Sequence, residues 1–232
     1  MNSVNNFSKI KNFLGIVAGM AATTTGLRER KKAQTEARLW RIAVDMFVER
    51  GFDQVSVAEI AAAAEVSKVT VFNYFPTKED LVMSAPEQHV DDLAAAVRER
   101  PPGQSVVAAL RAQFLDALDR RDPAVGFSDE KHILDVLRLI RDTPALRDRA
   151  HAMALAAEAA LADELVALSA DHDPLIAAVA AVQLAGTRRC LAAENHRRLL
   201  AGQTCEQVLP DATANAIRAF AVVERGLGSW PG

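Results

Sequence analysis

The sequence predicts an all-α protein, and three observations carry that prediction. Half of the 232 residues are hydrophobic, with alanine, leucine and arginine dominant and aromatics at only 5%. Long alanine-rich stretches carry charges at helical spacing, which favours helix over strand. No run of alternating β-branched residues interrupts them. The length suffices for one large or two modest hydrophobic cores.

The first helix should run over 30–50. Trp40, Ile42, Ala43, Met46 and Phe47 form one apolar stripe on it, and Gly51 stops it in a left-handed C-cap conformation. Phe52 then packs back as a loop anchor. Helix two starts at Ser56, which makes an S-x-x-E capping box with Glu59. Val57, Ile60, Ala61 and Ala64 are its buried face. Ser67 caps a third, very short helix. Val66, Val71, Phe72 and Phe75 should point inward from this segment, leaving Lys68, Val69, Thr70, Asn73 and Tyr74 outside. Such a short helix cannot stand alone and needs the three-helix core beneath it. Phe75-Pro76-Thr77 ends it, and Thr77 caps the next. Lys78 is unfavourable to the dipole of that next helix, unless a phosphate lies opposite.

Turn residues then mark helices over 81–100, 105–120, 129–141, 144–169, 174–200 and 205–225. Thr143 and Asp173 each precede a proline, an N-cap and first-turn arrangement. The domain reading is an extension over 1–27, a first domain over 28–80, a larger one over 81–227 and a flexible tail over 228–232. Within the extension, Lys9 and Lys11 precede an apolar stretch, Phe13 to Ala22, that mimics a signal peptide. A disordered extension, or an upstream translation start with Met20 as the working one, explains it better. No apolar run is expected to span a bilayer, and the default compartment is the cytoplasm.

The net charge of −3 argues against a general coat for nucleic acid. The charge is uneven, however. Arg28, Arg30, Lys31, Lys32, Arg38 and Arg41 face only Glu29 and Glu36 in their stretch, which suits a local basic arm. Helix, turn and short polar helix over 56–78 are the parts that place hydrogen-bonding side chains in a DNA major groove.

The two cysteines suggest no disulfide framework. Cys205 falls at a helix N-terminus, where a thiolate is stabilised, and Cys190 reads as a small buried residue. A thiol-responsive regulator is therefore an alternative, as is an architectural DNA binder without a ligand. There is no nucleotide loop, no G-x-S-x-G, and no metal-ligand spacing among His89, His132, His151, His172 and His196. Asp171-His172-Asp173 reads as a capped loop. No catalytic residue, metal or cofactor is expected.

The segment over 30–81, with "DMFVERGFDQVSVAEIA" followed by "AEVSKVTVFNYFPTKEDL", resembles the tetracycline-repressor (TetR) family of bacterial regulators. Past residue 85 only the layout is similar. The resemblance implies that Lys68, Val69 and Thr70 meet bases and nearby backbone. It also implies that Ser56, Thr70, Tyr74 and Lys78 meet phosphates, with Ser67 and Asn73 on the same face. Two residues depart from the family pattern. Glu65 stands where many members have glycine, and Phe72 stands where a tyrosine often offers its hydroxyl to phosphate.

The stretch over 174–185 is apolar almost all round (Leu175, Ile176, Val179, Val182, Leu184) and wants burial on more than one side. The last helix carries a stripe of Val208, Ala212, Ala216, Phe220 and Val223. The resemblance implies that they join in a four-helix interface of a homodimer, which requires a palindromic operator in double-stranded DNA. A small-molecule pocket is expected among Met83, Phe114, Phe127, His132, Leu137 and Met153, although such positions are more often plain core. An apolar or amphipathic ligand suits them.

Overall fold

The computed structural model describes residues 27–168 and 173–226. The expectations for 1–26, for Asp171-His172 and for the tail lie outside these residues. Among the described residues there is no strand. The helices are α1 (Leu27–Arg50), α2 (Val57–Ala63), α3 (Lys68–Tyr74), α4 (Asp80–Glu87), α5 (Asp92–Arg98) and α6 (Val106–Asp119). After a 3-10 turn at Pro123–Val125 come α7 (Lys131–Asp142), α8 (Pro144–Ala167), α9 (Pro174–Leu200) and α10 (Cys205–Gly226).

The chain forms two compact units. The first holds residues up to Gln88 together with Asp135–His151. It therefore extends past the expected boundary at residue 80. Leu81, Val82 and Met83 of α4 are buried in it, and Arg149 bonds Asp80 at 3.3 Å and Glu87 at 2.9 Å. Its core is Leu39, Trp40, Ala43, Val44 and Phe47 of α1 against Phe52, Ile60, Ala61, Val71 and Phe75. Leu39 and Val44 take the central places that the sequence reading gave to Ile42 and Met46, which lie on the flanks. The Phe47 and Phe52 rings meet at 4.9 Å, so the loop after Gly51 folds back as expected.

The single helix expected over 81–100 is two helices. Pro86 lies inside α4 and has no amide to give to the preceding turn. The helix ends one residue later, and Gln88 N–H bonds Ala85 O in a tightened turn of 3.3 Å.

The second unit holds His89–Leu134 and the chain from Ala152 onward. In it α6, α9 and α10 pack on one another. Phe114 of α6 meets Phe220 of α10 at a ring separation of 6.2 Å. Ala177, Ala180 and Ala181 of α9, small residues that let helices approach closely, complete this core together with Leu184. Thr204 and Gln207 form a capping box at the start of α10, with bonds of 2.9 and 3.3 Å.

One expectation about membranes needs correcting. α9 contains an 18-residue stretch of mean hydropathy 1.3, long and apolar enough to cross a bilayer by length and composition. Alanine and valine raise the average there while the arginines cluster further along. One face of this helix is core of the second unit, so composition alone does not assign it to a membrane.

Candidate nucleic-acid interface

Local capping chemistry builds the reading head. Ser56 Oγ accepts from Glu59 N–H, and a Glu59 carboxylate oxygen accepts from Ser56 N–H at 2.8 Å. Arg50 clamps the same carboxylate at 2.7 Å. The backbone bond to Ser56, and then Arg50, hold the Glu59 carboxyl down at about 2. The group is exposed, so water screens much of this interaction.

The turn between α2 and α3 is a Schellman motif. Val66 N–H reaches Ala61 O at 3.0 Å and Glu65 N–H reaches Ala62 O at 3.1 Å. This closure requires a left-handed residue, and Glu65 supplies it with φ of 54°. A non-glycine residue there stores strain on the order of 1 kcal/mol or more. Arg38 helps to hold the turn, donating to Ala64 O at 2.7 Å. That guanidinium, grouped with the basic arm from sequence, braces the helix-turn-helix instead.

On α3, Val71 and Phe75 are buried, fixing which side faces out. Ser67, Lys68, Val69 and Asn73 are exposed, and Thr70 and Tyr74 are partly so. Ser67 Oγ caps Thr70 N–H at 3.0 Å and lies 2.8 Å from Thr70 Oγ1. Phe72 overturns its expected place: it is 40% exposed on the outer face. Between the caps only Val71 is buried, and Phe72, about 100° further round the helix, is carried outward. Lys68 Nζ sits 5.6 Å from the Phe72 ring centroid. Arg30, Lys31 and Lys32 are exposed near the start of α1. Arg28 is in α1, with its side chain outside the described part.

Lys78 has structural work that the sequence did not reveal. Its ammonium donates to Phe52 O at 2.6 Å and lies 4.4 Å from the Phe52 ring centroid and 5.6 Å from that of Phe47. It clasps the α1–α2 loop to the start of α4. Lys78→Ala is therefore expected to destabilise the protein by about 1.5–3 kcal/mol, the range for a hydrogen bond from a charged group. Chemical denaturation checks this. An unchanged midpoint would leave the residue free for phosphate alone.

The expected pocket residues divide between the two units. Phe114 and Phe127 are core residues of the second, and His132 and Met153 are partly buried in it. Met83 and Leu137 belong to the first unit, so the six do not line one cavity within the second. Sequence reasoning missed a different set. Arg188 Nε, Gln113 Oε1 and His196 Nε2 are sheltered from solvent without a hydrogen-bond partner. Burial holds the His196 ring down at about 4. Burial also pulls the Arg188 guanidinium below its usual range, against the pull of Asp92 and Asp122. His89 bonds Asp92 at 2.8 Å, which raises the proton affinity of its ring. The signal was Arg188-Arg189 soon after the apolar stretch over 174–185 of α9, which reads as solvated charge until Arg188 is seen turning inward.

The apolar faces divide sharply. Leu175, Ile176, Val179 and Val182 of α9 are 69%, 48%, 45% and 52% exposed. Val208, Ala212, Ala216, Phe220 and Val223 of α10 are buried in their own protomer. That stripe is corrected from interface to core, because periodicity shows that a face is covered and not by what. Ile217 and Val222 are the exposed large apolar residues of α10.

The cysteine readings are also reversed. Cys190 is exposed and Cys205 is buried. Burial pushes the Cys205 thiol up to about 11. Asp129 already accepts from Cys205 N–H at 2.8 Å, occupying the helix terminus that a thiolate would use.

Comparison with known proteins agrees with this geometry. A family model described as "Bacterial regulatory proteins, tetR family" matches residues 41–85. The regulator TcmR of Streptomyces glaucescens is 33% identical over 123 residues, covering 52% of this chain and 54% of that protein. LuxR of Vibrio harveyi is 53% identical over 45 residues, 19% of this chain and 22% of that protein. The chain thus spans about half the length of TcmR and less of LuxR. The crystal structure of native NalD, described as the secondary repressor of the MexAB-OprM multidrug efflux pump in Pseudomonas aeruginosa, matches with a TM-score of 0.55 at 17% identity. The match covers 82% of this chain and 96% of NalD. At that identity the likeness is one of fold.

Proposed function

Because this chain belongs to the tetracycline-repressor family of bacterial DNA-binding transcriptional regulators, we propose that it works as a homodimeric repressor in the cytoplasm, released from a palindromic operator by a small molecule. It has no place for catalysis in this reading. The observation that carries it is the outer face of α3: Lys68, Val69, Thr70 and Asn73 held outward by a capped and braced turn. A two-fold pair of such heads matches a two-fold operator.

The apolar stripe of α9 supports the dimer. Leu175, Val179 and Val182 recur at helical spacing opposite the core residues Ala177, Ala180, Ala181 and Leu184. A contiguous exposed stripe of this kind marks a contact surface. The effector would meet the sheltered Arg188 Nε, Gln113 Oε1 and His196 Nε2 with polar groups of its own, since buried polar atoms normally find partners. It would act by favouring one spacing of the two heads over another.

The test is fluorescence anisotropy on a selected duplex and a scrambled one. Lys68→Ala should weaken specific binding by roughly 1–3 kcal/mol, the worth of a specific base contact, and barely change binding to the scrambled duplex. Equal losses on both would reduce Lys68 to a general cation.

A further inference from the structure

The outer face of α3 holds an apolar pair that a DNA-reading helix does not need for phosphate contacts. Val69 is 68% exposed and Phe72 is 40% exposed. Three residues apart, they share one side of the helix. The side of the helix that faces out is fixed from below, because Val71 is buried and Phe75, the C-cap residue, is buried beside it in sequence. Neither side chain can hydrogen-bond a phosphate oxygen. In the DNA major groove the apolar feature of the base edges is the 5-methyl group of thymine. The stem of Lys68 runs alongside, with its ammonium 5.6 Å from the centroid of the Phe72 ring. The face therefore offers an apolar edge with a cation beside it. That combination fits a thymine methyl next to an acceptor-rich base such as guanine.

We propose that Val69 and Phe72 read thymine methyl groups in each operator half-site, making Phe72 a specificity residue. The inference rests on α3 being the helix that enters the groove. Phosphate-binding tyrosines lose a hydroxyl when replaced by phenylalanine. Here the ring turned outward gains a different role, one that depends on base identity instead of on charge.

The experiment starts with selection of a high-affinity duplex from a random pool by the full chain. Each thymine of the half-site is then replaced by deoxyuridine, which removes only the methyl group. At one or two thymines the wild-type protein is expected to lose three- to tenfold in affinity. Phe72→Ala should bind the thymine and uracil duplexes alike at the Phe72 contact, and Phe72→Leu should keep part of the preference. Because Phe72 is already exposed, its thermal midpoint should stay near wild type, which separates misfolding from lost readout. Indifference of the wild type to uracil at every position would overturn the proposal, as would full methyl discrimination by Phe72→Ala. Failure to select any sequence would instead remove α3 as a reading helix, and this inference with it.

Discussion

Aspartate at both Val179 and Val182 is expected to give a folded monomer that binds its operator at least a hundredfold more weakly than wild type. Both side chains face solvent in the protomer, at 45% and 52% exposure, so the substitutions cost its core little. In a dimer they would place four carboxylates in an apolar contact, where unpaired charge costs several kcal/mol each. A monomer engages one half-site at a time and loses the linkage between two heads. Sedimentation velocity and anisotropy read the two effects separately. Should the variant remain dimeric, the face of α9 is not the contact, and the exposed Ile217 and Val222 of α10 become the next residues to test.

The second large effect is expected at Gly126. Its φ of +72° lies in the left-handed region. A Cβ there would stand 2.3 Å from the Ala192 carbonyl oxygen and 3.0 Å from His196 Cδ2. The first of these is helix backbone and cannot swing aside. Gly126→Ala should therefore lever the 123–127 turn off α9 and stretch the bond from Asn195 Nδ2 to Val125 O, now 3.0 Å. The left-handed cost and the overpacking together come to about 2–4 kcal/mol, a fall in melting temperature of roughly 5–15 °C. Calorimetry checks it. A midpoint within a degree of wild type would mean that the turn yields freely.

What the sequence made legible was chemistry confined to a few neighbouring residues. Ser56 with Glu59, Ser67, and Asp173 before Pro174 each announce a helix start through one side chain and one amide. The residues over 174–200 form the expected helix with the expected ends for that reason. Most of the misreadings involve partners distant in sequence; the local exceptions are Phe72, which faces out because its neighbour Val71 takes the inward place, and the helix expected over 81–100, which breaks after Pro86. The α10 stripe is covered by α6 and α9, where a partner subunit was expected. Lys78 turns from solvent to a carbonyl 26 residues earlier. Cys205 meets Asp129 from another segment. The inward turn of Arg188 likewise needs the packed helices before it is visible.

The mutual bond of Ser67 and Thr70 bears on the thermodynamics of docking. Both hydroxyls stand on the face expected to meet DNA, and both already have their rotamers set by each other and by the Thr70 amide. Their side-chain entropy is therefore surrendered when the chain folds and not when the duplex arrives. Exchanging one oxygen partner for another changes enthalpy little, while freezing a free side chain at an interface costs about 0.5–1.5 kcal/mol. Calorimetric titration of this face should accordingly show a small ordering penalty. The heat-capacity change should come chiefly from the apolar surface that Val69 and Phe72 withdraw from water.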